Sequence, residues 1–218
     1  MPRTQTLAEI VADVLRRSLR DGVYLPGEKL IESAIARELS VSQNTARDAL
    51  RILEMEGWLS RRPRYGLTVA DFDSEEAQTL YAIRGMLEKL ALEWAWGRMT
   101  ERDKADLAAI IAEGRIQAGM SNERGVRETI TAFHERLLSL AGADQLARVL
   151  QPLINQTRLL VNLRAHHDPT DDAANRLTAY GELVTHIRYN DQPAANKLLQ
   201  QILLDECRAV QTTLDLVR

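Results

Sequence analysis

The sequence predicts a mainly α-helical protein, in which an N-terminal winged helix-turn-helix with a small β-hairpin wing precedes an all-helical bundle. Two observations support this prediction. Apolar residues recur at three- and four-residue spacing along most of the chain, which is the period of amphipathic helices. Extended character is confined to residues 57–70. The 218 residues suffice for two small domains, which we place at 1–70 and 76–218 with a linker at 71–75.

Three helices are predicted before the hairpin. The first covers residues 6–21 and stops before Gly22, since glycine commonly follows a helix end. The second covers residues 32–39. After a two-residue turn, Ser42 is a favoured N-cap for a third helix that continues to about residue 56.

The wing is predicted from two short extended runs, residues 57–60 and 67–70. They flank a turn that contains Pro63 and Gly66, a pattern typical of a small hairpin. Beyond residue 74 we expect six helices, with caps at Thr100 and Asp171 and a loop over residues 165–170. Their predicted spans are 75–97, 101–119, 123–140, 144–163, 172–189 and 192–216.

Helix, turn, helix and wing together form a geometry suited to duplex DNA. The second helix of such a pair enters the major groove with its N-terminal end first, and a wing contacts phosphates or the minor groove. Although the net charge is −3, residues 1–70 hold 11 Lys and Arg against 9 Asp and Glu. The candidate DNA-binding residues are Ser42, Gln43, Asn44, Thr45, Arg47, Arg51, Arg62 and Arg64. The alternative is an ordinary amphipathic helix whose polar face is simply solvated.

Three segments of the first domain resemble the GntR family of bacterial transcription regulators: residues 24–30, 35–42 and 47–57. Residues 83–88 and 133–138 resemble its FCD-type effector domain. The resemblance implies a dimeric, effector-responsive regulator, more often a repressor, that binds a pseudo-palindromic operator. It adds Ser33 and the wing residue Gly66 to the DNA-binding positions.

The resemblance is incomplete in the first domain. The usual Arg-Thr-Pro-Val after the turn is Gln43-Asn44-Thr45-Ala46 here, and the arginine often found on the second helix is Ser33. We therefore expect an operator that differs from those of the relatives. A winged-helix adaptor that does not bind DNA is the alternative; Ser33 and Gln43 favour it, whereas Arg47 and the arginine-rich wing oppose it.

Many FCD domains hold a metal ion through one Asp and three His. The matching positions here are Ile130, His134, Tyr180 and Ile202, so one ligand of four is kept. We expect no metal and no other cofactor. His186 falls off the apolar stripe of its helix and is expected at the surface, and His166 and His167 are expected to be solvated in the 165–170 loop.

An effector pocket is the remaining expectation for the second domain. Two polar residues on its inward stripes, His134 and Tyr180, would anchor a small molecule in an apolar-leaning pocket. The family resemblance implies two further pocket residues, Arg84 and Arg158. The alternative is structural: Arg84 pairs with Glu88 one turn along the helix, and His134 is a hydrogen-bonded core histidine.

Several classes of protein are excluded by the sequence. Charged residues interrupt every apolar stretch short of a membrane span, and residues 1–6 lack a signal-peptide core, so we expect a cytoplasmic protein. Cys207 is the only cysteine, which rules out an internal disulfide. No P-loop, nucleophile elbow or zinc-protease spacing is present, and the second domain is too short for the PLP-dependent domain of longer GntR relatives. We therefore expect no enzyme.

Overall fold

A computed structural model describes residues 5–62, 65–168 and 173–217. Within these ranges the order of elements is three helices, a two-stranded hairpin and six further helices. Their bounds are α1 Leu7–Arg20, α2 Glu32–Glu38, α3 Gln43–Met55, β1 Leu59–Arg62, β2 Gly66–Val69, α4 Ser74–Trp96, α5 Glu101–Gly119, α6 Glu123–Ala141, α7 Asp144–His167, α8 Ala173–Arg188 and α9 Gln192–Val217. The predicted mainly helical fold is confirmed. No helix in the described ranges is long and apolar enough to cross a bilayer.

Local capping explains where several helices begin. The Ser42 hydroxyl accepts a hydrogen bond from the backbone N–H of Thr45 at 3.1 Å, and thereby starts α3 at the predicted position. Thr100 caps α5 in the same way, as predicted. Asp73 caps α4, which therefore begins at Ser74, inside the predicted linker. Each such cap is worth about 1 kcal/mol.

The N-terminal head consists of α1, α2, α3 and the hairpin. Its strands are antiparallel, with Leu59 opposite Val69 and Arg62 opposite Gly66. Trp58 is fully buried in the head core beneath the recognition helix α3. The head core also receives Leu159, which belongs to α7 of the second domain.

The second domain is a bundle of α4 to α9. The central helix α4 packs on α6, α7 and α9, while α5 packs on α6 and α8. Phe133 of α6 and Leu183 of α8 are fully buried in its largest apolar cluster. The predicted apolar stripe of α8 is confirmed, because Leu177, Tyr180 and Ile187 are all buried.

The largest difference from the predicted boundaries lies at the end of α7, and β1 begins two residues later than the predicted run 57–60. Helix α7 continues to His167, so residues 165–167 are helical rather than part of a loop. Alanine is a good helix former, and the first residue disfavoured in a helix is Asp168, which precedes Pro169. His166 and His167 are nevertheless exposed, as expected. The predicted cap Asp171 and the wing residue Arg64 lie outside the described residues.

Candidate functional site

The tip of α3 presents polar side chains to solvent. Ser42, Gln43 and Asn44 are exposed at its N-terminal end, where unpaired backbone N–H groups and the helix dipole favour an anion. The hydroxyls of Ser42 and Thr45 lie 2.8 Å apart and bond each other, so these two side chains organise the tip. Gln43 and Asn44 remain available for base edges, where each can pair bidentately with adenine.

Within the described residues, each arginine predicted to contact DNA is held by a neighbouring acid. Arg47 donates through Nε to Glu32 Oε2 at 2.9 Å, which joins the start of α2 to the exposed face of α3. Arg51 pairs with Asp48 at 3.5 Å, one turn away. Ion pairs this exposed contribute little stability, about 0–1 kcal/mol. A phosphate can therefore replace the carboxylate without destabilising the head.

The wing continues this pattern. Arg62 donates to the backbone carbonyl of Asp71 at 3.1 Å and lies 3.3 Å from its carboxylate. Gly66 starts β2 with φ near +84°, a left-handed conformation that favours glycine. It therefore shapes the turn of the wing. Ser33 is exposed near the start of α2, next to Glu32.

A chain of hydrogen bonds runs through the buried centre of the second domain. Arg84 Nε donates to Glu88 Oε1 at 2.7 Å, and Glu88 Oε2 lies 2.6 Å from His134 Nδ1. The other ring nitrogen of His134 lies 2.7 Å from the Tyr180 hydroxyl. All four side chains are buried, so three helices, α4, α6 and α8, are joined by polar contacts inside an apolar bundle.

The charges of this chain follow from its contacts. Burial alone would raise the pKa of Glu88, but Arg84 and His134 outweigh it and lower the pKa to about 2. Burial and the nearby Glu206 raise the pKa of Tyr180, which keeps its hydroxyl protonated. An ionised Glu88 can only accept hydrogen bonds. The Nδ1 atom of His134 therefore carries a hydrogen and donates a hydrogen bond to that carboxylate.

Two further polar residues complete the cluster and were not predicted. Arg84 Nη1 donates to Thr157 Oγ1 at 2.7 Å and lies 3.5 Å from Glu206 Oε2. Glu206 is an acid on the inward stripe of α9, between the buried Leu203 and Val210. That interruption of an apolar stripe is the sequence signal that could have identified it.

Beside this cluster lies a cavity of about 30 Å³, which is room for roughly one water molecule. Arg84, His134 and Arg158 line it, whereas Tyr180 lies behind His134. The lining includes further arginines at 127 and 176, but apolar atoms provide the larger share of its surface, in agreement with the predicted apolar-leaning character. Arg84 also forms the predicted structural pair with Glu88. The assignment of these residues to an effector therefore stays a prediction.

The same residues do not fit the metal site implied by the family resemblance. Ile130 and Ile202 offer no ligand atom, and both ring nitrogens of His134 are occupied by Glu88 and Tyr180. Within the described ranges, no three His, Cys, Asp or Glu side chains are grouped to hold a metal ion. His186 is half-exposed and lies 3.6 Å from Asp191, away from the cavity.

Comparisons with known proteins cover both parts of the chain. Residues 7–69 match the family described as "Bacterial regulatory proteins, gntR family", and residues 79–205 match the FCD domain. The "Uncharacterized HTH-type transcriptional regulator YdhC" of Bacillus subtilis (strain 168) is 28% identical over 151 residues, or 67% of each chain. The "Gluconate operon transcriptional repressor" of Bacillus licheniformis is 24% identical over 195 residues, covering 88% of this chain and 79% of that protein.

Solved structures share the same fold. The structure described as "E. coli McbR/YncC" superposes with a TM-score of 0.83 at 19% identity, covering 96% of this chain and 99% of the other. At this identity the likeness concerns the fold alone. It extends over the head and the helical domain together.

Proposed function

Because this chain belongs to the GntR family of bacterial regulatory proteins and carries an FCD domain, we propose that it is a ligand-responsive repressor. It binds a pseudo-palindromic operator as a homodimer in the cytoplasm, and a small-molecule effector releases it. The family consists of transcriptional regulators and not enzymes. The observation that carries the proposal is Arg47, which lies on the exposed face of α3 behind the free amides of Gln43 and Asn44. The repressor role is supported by the printed name of the Bacillus licheniformis relative.

DNA binding is tested with the full chain and two fluorescent duplexes. One duplex carries the sequence upstream of its own gene, and the other carries the same bases in shuffled order. We expect at least about a thousandfold preference for the first duplex, and affinity that falls steeply with salt as arginines displace counterions. Equal affinity for both duplexes would contradict the proposal.

Dimerisation is supported by an apolar stripe on α4 that is exposed at Ile83 and Trp94 and partly buried between them. Ile83, Leu87, Leu90 and Trp94 follow each other at three- and four-residue spacing, which places them on one face of the helix. Ile83 and Trp94 are exposed, and Met86 beside them is 63% exposed. A second copy of the chain would bury this stripe. Light scattering should give twice the mass of 24.6 kDa, and Trp94→Asp should shift the mass toward one chain.

We propose that the effector binds in this cavity because of the residues that line it. Arginines at 84, 127, 158 and 176 contribute to it, against one carboxylate, Glu206. Arg158 forms no ion pair with a carboxylate among the described residues, and its guanidinium favours a small anionic molecule. Because the cavity of about 30 Å³ has room for roughly one water molecule, such a ligand has to push its walls apart. That requirement couples ligand binding to a change in helix packing.

A further inference from the structure

Three side chains of α7 hold the head by its helix ends. Asn155 Nδ2 donates to the carbonyl of Glu56, which caps the recognition helix α3, at 2.9 Å. Arg158 donates through Nε and Nη2 to the carbonyl of Arg20 at 3.1 and 3.0 Å. Asn162 Nδ2 donates to the carbonyls of Leu19 and Arg20 at 3.2 and 3.1 Å. The spacing of three and four residues places all three donors on one face of α7, which we call the docking face.

Close packing accompanies these hydrogen bonds. Leu159, between the donors, is fully buried in the core of the head. Gly57 rests against Pro152 of α7, and a Cβ added at Gly57 would lie 3.0 Å from the Cβ of that proline. Since carbonyl groups at a helix end have no partner within the helix, the docking face satisfies groups that would otherwise need water. The head is therefore seated specifically on α7.

Two of the three donors also line the buried cavity. Arg158 and Asn162 border it, whereas Asn155 does not. Arg158 is 6% exposed, and its Nη1 donates to Thr131 Oγ1 at 2.5 Å. No ion pair between Arg158 and a carboxylate is present within the described part of the chain. The hydrogen bonds of Arg158 within the described residues all go to neutral oxygens, and a buried cation of this kind beside a cavity is a favourable site for an anion.

We propose that Arg158 and Asn162 are positioning residues that transmit occupancy of the cavity to the DNA-binding head. An anion in the cavity attracts the Arg158 guanidinium and draws it away from the Arg20 carbonyl, because bonds to a charged acceptor are about twice as strong as bonds to a neutral one. The end of α1 then keeps only the hydrogen bonds from Asn162, and the head loosens from α7. This inference rests on the proposed function, in which a ligand controls the head.

The test introduces a carboxylate into the cavity by substituting a side chain that lines it. The identity of the effector is therefore not needed. Thr131→Glu puts a carboxylate beside Arg158, and Thr131→Gln is the uncharged control of the same shape. Hydrogen exchange of the full chain is followed at residues 16–23, the end of α1. We expect exchange about tenfold faster in the Glu variant than in the Gln variant, while core amides of α5 exchange equally in both.

A double-mutant comparison assigns the effect to Arg158. In an Arg158→Met background, the Glu and Gln variants should exchange at the same rate at residues 16–23. Equal rates in the presence of Arg158, or a difference that persists without it, would overturn the proposal. Should the Thr131 variants not fold, Val161→Asp and Val161→Asn provide the same comparison, since Val161 also lines the cavity. No DNA is used, so this result is independent of whether the chain prefers an operator.

Discussion

The head and the helical domain both pair arginine with a carboxylate, but in opposite surroundings. In the head, the side chains of Arg47 and Glu32 are 44% and 33% exposed. In the helical domain, those of Arg84 and Glu88 are 5% and 2% exposed. Breaking an exposed ion pair costs little stability, so its arginine can exchange the carboxylate for a phosphate. A buried pair leaves an uncompensated charge when one partner is lost. The same two residue types therefore provide a replaceable contact in one region and a fixed framework in the other.

The largest effect should follow from breaking the buried pair. Arg84→Met removes the cation that contacts both Glu88 and Glu206, and we expect a loss of about 3–5 kcal/mol in the free energy of unfolding. Urea denaturation followed by circular dichroism measures it. The matched variant in the head is Arg51→Met, which removes an exposed pair with Asp48 and should cost less than about 0.5 kcal/mol. Equal losses in the two variants would contradict the contrast between the regions.

Acid should also affect the helical domain through Glu88. Its pKa is lowered from 4.5 to about 2 in the folded chain, so its stabilisation is fully present above pH 4.5 and is lost as the pH falls toward 2. The loss is on the order of 3 kcal/mol across that window. The free energy of unfolding between pH 5 and pH 2 should therefore fall less steeply in Glu88→Gln than in the unmodified chain. Parallel curves would show that Glu88 does not carry this dependence.

The two regions also differ in how far the sequence predicts them. The recognition helix was placed correctly because its signals are local: Ser42 bonds the N–H of Thr45 three residues on, and Gly57 follows the helix end. The inner cluster depends on partners far apart in sequence. Arg84 contacts Thr157 and Glu206, and no local pattern links these three positions. The pairing of Arg84 with Glu88 was foreseen only because it lies within one helical turn.

The contacts of the docking face of α7 also join residues far apart in sequence, so the sequence does not predict them. Arg158 was predicted as a cavity residue from the family resemblance, and it does line the cavity. Its bonds to the Arg20 carbonyl, however, join residues 138 positions apart. An inward polar residue on a helix predicts a need for a partner, but it does not identify which helix end supplies that partner.

In the head, replacing an arginine of an exposed ion pair should weaken DNA binding strongly but change the stability of the fold little. Arg47→Ala should weaken binding to the preferred duplex by about 1–3 kcal/mol, which is roughly five- to 150-fold, because it removes a bidentate contact from the recognition helix. Its melting temperature should change little, since the pair with Glu32 is exposed. Fluorescence anisotropy and thermal denaturation measure the two quantities. A large fall in melting temperature would instead mean that the ion pair of Arg47 stabilises the head.

The smallest expected change in DNA affinity is a gain rather than a loss. Glu32 holds Arg47 at 2.9 Å and competes with DNA for the same guanidinium. Glu32→Gln keeps the size of the side chain and removes the charge, so binding should tighten by about 0.5 kcal/mol, or roughly twofold, at low salt. Salt screens the competing charge, and the gain should shrink as the salt concentration rises. In Arg47→Ala the same substitution should have a much smaller effect, because its partner is gone. Weaker binding by Glu32→Gln would mean that Glu32 orients Arg47 for the groove rather than competing with DNA for it.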